Sequence, residues 1–183
     1  MDWLIIGSAK DLRVQRFQDA LKNINAAPAK IVGYQDNWQD KIPSLLTQNT
    51  CLRIEAPNQL SDVRYLLKRG LKHNSNINNL EILTDKDIDN ADLERGEFFA
   101  PHQFYFGLKN KLEQLQTLVN DSSIIGCMNH IPDIFAFFDK QHCHQALSTQ
   151  KIMVADGIYD VSSYADLRGK MRTSGHKLSL IHI

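Results

Sequence analysis

A chain of 183 residues is long enough for one domain with a real core, or for one domain and the start of a second. Apolar residues make up 43%, which predicts packing rather than disorder, and 21 basic against 21 acidic side chains leave a formal charge of zero. With no basic stripe in the sequence, nucleic acid and anionic membrane are set aside as partners. The three cysteines, Cys51, Cys127 and Cys143, are widely spaced and odd in number, and they read as reduced thiols. No basic segment precedes an apolar stretch at Met1-Asp2-Trp3, and no apolar run approaches the ~20 residues that span a bilayer. A cytoplasmic protein is expected.

The first element is Trp3-Leu4-Ile5-Ile6-Gly7, a short apolar run broken at glycine, which predicts a buried parallel strand. Val14, Phe17, Leu21 and Ile24 follow at spacings of three and four and fall on one helix face. Ala29 to Tyr34 is again strand-like, so the opening reads as a βαβ unit with a right-handed crossover. Cys51 to Glu55 predicts a third strand, ended by Ala56-Pro57, and Ser61 is placed to cap a helix carrying Val63, Leu66, Leu67 and Leu71. Residues 73–90, rich in asparagine and aspartate, read as a loop. Phe98, Phe99, Phe104, Tyr105 and Phe106 introduce a helix with Leu108, Leu112, Leu115 and Val119 on one face. Ser123 to Cys127 predicts a fourth strand, Pro132 to Thr149 a helical region and Lys151 to Val154 a final short strand. Alternating strands and helices predict an α/β fold, with a mainly parallel sheet covered by helices on both faces. Such sheets bind ligands beyond the carboxyl ends of their strands, which locates a site without giving its chemistry.

Few residues carry chemistry by pattern alone. Gly7-Ser8 follows the first strand without either glycine-rich phosphate-binding pattern, so it reads as a plain strand-to-helix turn. His142 and His144 are two apart, and on a helix they point in different directions, so no metal site is expected there. Asp133 and Asp139 are six apart, a poor match to one helix face, and neither a nucleophile elbow nor a serine–histidine pair is present. No catalytic residue is assigned.

One segment is more specific. Asn129 ends the fourth strand candidate; Asp139-Lys140 opens a helix that Leu147 closes; Ile152-Met153-Val154 follows, and then Tyr164-Ala165-Asp166-Leu167. This pattern resembles the approach to the ATP-binding half of ATP-grasp enzymes, most closely the branch of ribosomal-protein glutamate ligases and glutathione synthetase-like enzymes. The resemblance implies a Rossmann-like (pre-ATP-grasp) domain over residues 1–128 and the start of an ATP-grasp lobe over 129–177. It assigns Lys140 to ATP, as the family's Asp-Lys lysine reaches the nucleotide. An ammonium near a positive helix end suits a polyphosphate, and Asp139 is placed to cap that helix. The resemblance further implies a ligase that joins a small-molecule or peptide carboxylate to an amine through an acyl-phosphate, using ATP and magnesium.

The sequence departs from the pattern at Lys151 to Ala155, which lacks the glycine and the prolines of the family's strand. The specific resemblance covers only the segment from Asn129 onward; residues 1–120 match in the order of their elements alone. The lysine-bearing strands, glycine-rich loop and acidic magnesium ligands of the lobe are not in the chain, so the chain itself is expected to be inactive. Leu178 to Ile183 resembles the translated end of a transposase-derived sequencing adapter and is expected to be a dispensable, non-native tail. A different reading is a non-catalytic Rossmann-like binding or interaction module. A reading frame that continues beyond Lys177 with a Glu-x-Asn-like motif favours the ligase, and a natural stop codon favours the module.

Overall fold

The computed structural model describes residues 1–70, 82–94, 99–154 and 157–174. In these the chain divides into two compact units, Met1–Ile131 and a second from Pro132 onward. The first is built on a four-stranded, wholly parallel sheet of β1 (Asp2–Ile6), β2 (Lys30–Val32), β3 (Thr50–Ile54) and β4 (Gly126–Cys127), in the order β2-β1-β3-β4. The expected α/β class and the four parallel strands are present.

Register follows from the alternation of side chains. Leu4 lies beside Leu52 and Ile6 beside Ile54, whereas Trp3, Ile5 and Arg53 point to the other face. Both faces are buried: Leu4, Ile5, Ile6 and Leu52 are at most 1% exposed. The face of Trp3 and Ile5 is covered by α1 (Leu12–Asn23), whose Val14 and Leu21 pack with Ile5 and Ala29. Each such burial stabilises by about 1.5–3 kcal/mol. The Trp3 and Phe17 rings meet edge-on at 4.9 Å, and the Arg53 guanidinium lies 4.4 Å from the centre of the Phe17 ring. Gln18 bonds both the N–H and the C=O of Ala29, each at 2.8 Å, and so ties α1 to the chain entering β2. Ile24, placed on the buried face by its spacing, lies just past the end of α1 and is exposed.

The step from β1 to β2 runs opposite to the step from β3 to β4, so right-handed crossovers put α1 on one face and the β3–β4 connection on the other. Between β2 and β3 the chain forms one short helix, α2 (Trp38–Lys41), and a 3-10 turn at Pro43–Leu45. The β3–β4 connection carries α3 (Leu60–Gly70), α4 (Asp85–Asn90) and α5 (Pro101–Asn120). Leu108, Leu112 and Leu115 of α5 are buried, as the periodicity predicts. Helices α3 and α5 cross with backbones in contact, because Gly70 faces Gln103 and Gly107 faces Leu66; a Cβ at either glycine would stand 1.9 Å from a carbonyl oxygen.

Several expectations need correction. Ser61 lies inside the first turn of α3, one residue past its start, and so does not cap it. The loop expected over 73–90 contains α4, opened by a capping box: Asp87 N–H bonds the Thr84 hydroxyl and the Asp87 carboxylate reaches back to Thr84 N–H. Six residues are too few for a helix to hold alone. Arg64 of α3 anchors it, donating to the carbonyls of Ile88 (2.6 Å), Asp89 (2.9 Å) and Ala91 (2.8 Å). We expect Arg64→Ala to lose about 1.5–3 kcal/mol in urea unfolding, with an unchanged denaturant slope. A loss below about 0.5 kcal/mol would make this clamp ornamental.

In the second unit the helical region breaks in two, α6 (Ile131–Phe138, whose first residue closes the first unit) and α7 (Lys140–Thr149), with Asp139 between them. The strand expected at Lys151 to Val154 does not form. Lys151 takes a left-handed backbone conformation (φ 59°) and Met153 is 98% exposed, so this stretch neither pairs nor packs as a strand must. The chain then forms α8 (Tyr164–Ser174), whose Lys170 donates to the carbonyls of Tyr159 and Asp160. The tail, Leu178 to Ile183, and Leu71 lie outside the described residues. Among the described residues no helix is long and apolar enough to cross a membrane.

Candidate functional site

The strand order reverses direction at β1, between β2 and β3, and the loops leaving their carboxyl ends must part there. An open cleft of about 350 Å³ lies at that edge of the first unit. It is walled by the turn after β1 (Gly7 to Lys10), the turn after β2 (Gly33, Gln35, Asp36) and the start of α3 (Gln59, Ser61, Asp62). Gly7 is required at the base by close approach, since a Cβ there would meet Glu55 Cβ at 3.0 Å.

The β2 turn is held rigidly. Asp36 accepts from Gly33 N–H at 2.7 Å and from Lys41 Nζ at 2.6 Å, while Trp38 Nε1 donates to the Gly33 carbonyl at 2.8 Å. Partial burial pushes the Asp36 carboxyl up, but the Lys41 ammonium and the Gly33 amide outweigh it and hold the group below the usual carboxylate range. From behind, Lys111 of α5 donates to the Asp36 carbonyl at 3.1 Å and sits over the ring faces of Trp38 (4.2 Å) and Tyr65 (5.5 Å). Its burial, reinforced by the Arg69 guanidinium and opposed by Asp36, pushes the ammonium down to about 8.

Beside the cleft, Asp11 caps α1 through the Arg13 amide, and its carboxylate pairs with the Arg13 guanidinium at 2.7 Å. Arg13 also approaches Glu55 at 3.4 Å, and Glu55 is paired with Arg53. These charges are mutually compensated and serve to join α1 to the end of β3. Tyr34 donates its hydroxyl to the Glu55 carbonyl at 2.6 Å; burial, with the charges of Asp62 and Glu55, pushes its ionisation far above the usual phenol range. Burial also pushes the Cys51 and Cys127 thiols up, so neither is a ready thiolate nucleophile.

Asp62 differs from its neighbours. It is 5% exposed, its Oδ1 accepts from Gln35 Nε2 at 3.0 Å, and its Oδ2 is buried with no hydrogen-bond partner. Sequence pattern singles out neither Asp62 nor the Gln35–Asp36 turn. Their one signal is position, a few residues past the ends of β2 and β3, where parallel sheets build their sites.

Lys140 falls in the second unit. It is the first residue of α7, and Asp139 caps that helix by accepting from His142 N–H at 2.9 Å, the capping role expected of it. Lys140 Nζ donates to the Phe137 carbonyl at 3.2 Å. Asn129 belongs to the first unit and lies on the exposed bend after β4. Among the described residues no group of three or more His, Cys, Asp or Glu is placed to hold a metal ion.

No family model, curated protein or solved structure matches this chain.

Proposed function

We propose that the chain is the front part of an ATP-dependent carboxylate–amine ligase. In this reading a Rossmann-like first domain is followed by the opening of an ATP-grasp lobe, and Lys140 contacts the nucleotide. The observation that carries the reading is local: the Asp139-Lys140 pair opens α7, with Asp139 as its cap and Lys140 as its first residue, as the resemblance requires. The parallel sheet with its cleft at the carboxyl edge supports the domain order. Since Asp139 already takes an amide of the first turn, a phosphate contact falls to the Lys140 ammonium rather than to the helix amides. Lys140 would leave the Phe137 carbonyl to make it. ATP supplies the phosphoryl group that activates the carboxylate.

A second reading, a Rossmann-like binding module without a catalytic lobe, is favoured by the unformed strand at Lys151 to Val154. Calorimetric titration of the parent protein with magnesium-ATP separates the two. Under the ligase reading Lys140→Ala loses about 1.5–3 kcal/mol of ATP binding with unchanged circular dichroism, the scale of one hydrogen bond to a charged group. Lys140→Arg recovers part of the loss, because a planar fork replaces a point charge imperfectly. Equal affinities of the parent protein and a well-folded Lys140→Ala variant would remove the ligase reading.

A further inference from the structure

We propose that the cleft of the first unit binds a small molecule bearing a protonated amine, and that Asp62 is the carboxylate that receives it. This stands on the first unit alone and holds whether or not the second binds ATP.

An enclosed carboxylate oxygen without a donor is among the least favourable groups a fold can keep. Asp62 Oδ2 is such an atom, on a residue that lines the cleft. Several neighbouring donors are committed elsewhere, while the Ser8 and Ser61 hydroxyls and the Lys10 ammonium line the same cleft without bonding Oδ2. The Tyr34 hydroxyl is held by the Glu55 carbonyl, Arg13 is shared between Asp11 and Glu55, and Lys41 and Lys111 both serve Asp36. Gln35 supplies one donor, to Oδ1 alone. What is missing at Asp62 is therefore a donor, and an incoming cation supplies charge as well.

The surrounding wall fits that group. An ammonium carries three donors and no acceptor. The cleft offers it acceptors besides Asp62, in the hydroxyls of Ser8 and Ser61 and the amide oxygens of Gln35 and Gln59. A volume of about 350 Å³ is at the small end of ligand sites, the size for an amino-acid derivative. Access needs little movement. The terminal torsion of an aspartate is soft, and Gln35 is an exposed side chain free to follow it.

The test is a titration of the isotope-labelled chain, followed by amide NMR, with L-alaninamide and with N-acetyl-L-alaninamide, which lacks the ammonium. Below neutral pH, alaninamide should shift the amides of Ser8, Gly33, Gln35 and Asp62 saturably, and the acetylated probe should not. Asp62→Asn keeps the shape and removes the charge; it should weaken alaninamide binding about tenfold or more, since each 1.4 kcal/mol is a factor of ten. The contrast between the two probes on the unaltered chain keeps the assignment open to test if Asp62→Asn folds poorly. A purely structural Asp62 would change the melting temperature without separating the two probes. Equal response to both probes, absence of a saturable shift in the cleft, or undiminished binding by Asp62→Asn would each overturn the assignment.

Discussion

Replacing Gly107 by alanine should destabilise the first unit by about 3 kcal/mol or more, the upper range for an overpacked contact. The sign is the informative part. Glycine inside a helix is ordinarily a weakness, and alanine there gains about 1 kcal/mol. At Gly107 the added Cβ would lie 1.9 Å from the Leu66 carbonyl oxygen, and that neighbour is backbone, which cannot rotate away. Helices α3 and α5 must then separate, loosening Leu66 and Leu112, both at most 1% exposed. A chain of this size should melt roughly 6–12 °C lower. Gly126→Ala is the internal control, because a Cβ there meets nothing within 4 Å, and it should change stability by less than about 0.5 kcal/mol. An unchanged or raised melting temperature for Gly107→Ala would mean that the two helices do not cross at this point.

The second large effect belongs to Lys111. Unfolded, this lysine titrates near 10.5; folded, burial brings it to about 8. Between those values the unfolded chain still binds a proton that the folded chain has released, so stability rises with pH across that window. Below about pH 8 both states are charged, and the fold carries a buried ammonium. The ring faces of Trp38 and Tyr65 offset part of that burden by favouring the cation. Lys111→Met is neutral at every pH. The stability difference, wild type minus variant, should therefore increase by about 2 kcal/mol between about pH 8 and pH 10.5, read from urea unfolding of both proteins. Tyr34 titrates later than an ordinary phenol and lowers stability at high pH in both proteins, so it cancels in the difference. Parallel pH curves would show that Lys111 is not buried as described.

Strands β1, β2 and β3 are legible in the sequence because each carries a short apolar run closed by glycine or by a polar residue and proline, the signature of parallel strands buried on both faces. The strand expected over Ser123 to Cys127 shrinks to the half-buried Gly126–Cys127, with Ile125 exposed beside it. Helices α1, α3 and α5 are legible because only one of their faces is buried. Helix α4 is hidden by its composition. Five of its six residues are polar, and its hold comes from Arg64, 24 residues earlier in the chain than the Ile88 carbonyl it binds. Its capping box, Thr84 with Asp87, is the local signal that marks it. The stretch Lys151 to Val154 errs the other way, as β-branched and apolar residues suggest a strand where no partner strand is provided. In the cleft, Asp62 is an ordinary first-turn aspartate by pattern. Only the pairing of its Oδ1 with Gln35, 27 residues away, and the isolation of its Oδ2 set it apart.

The two-residue β4 has a consequence for how the sheet is assembled and protected. It joins β3 across roughly 70 residues of intervening chain, the longest closure in the sheet, while β1 and β2 meet across a single helix. Its hold extends only to the flanking bonds of Ile125 to Thr50 and Met128 to Leu52. Folding kinetics governed by loop closure therefore place the β1–β2–β3 platform first and the docking of β4 last, after α3 and α5 have met. Until then the side of β3, with its buried Leu52 and Ile54, is an open template for another chain. The brevity of β4 becomes an advantage once it docks, because so short an edge offers a stray strand almost no ladder to extend.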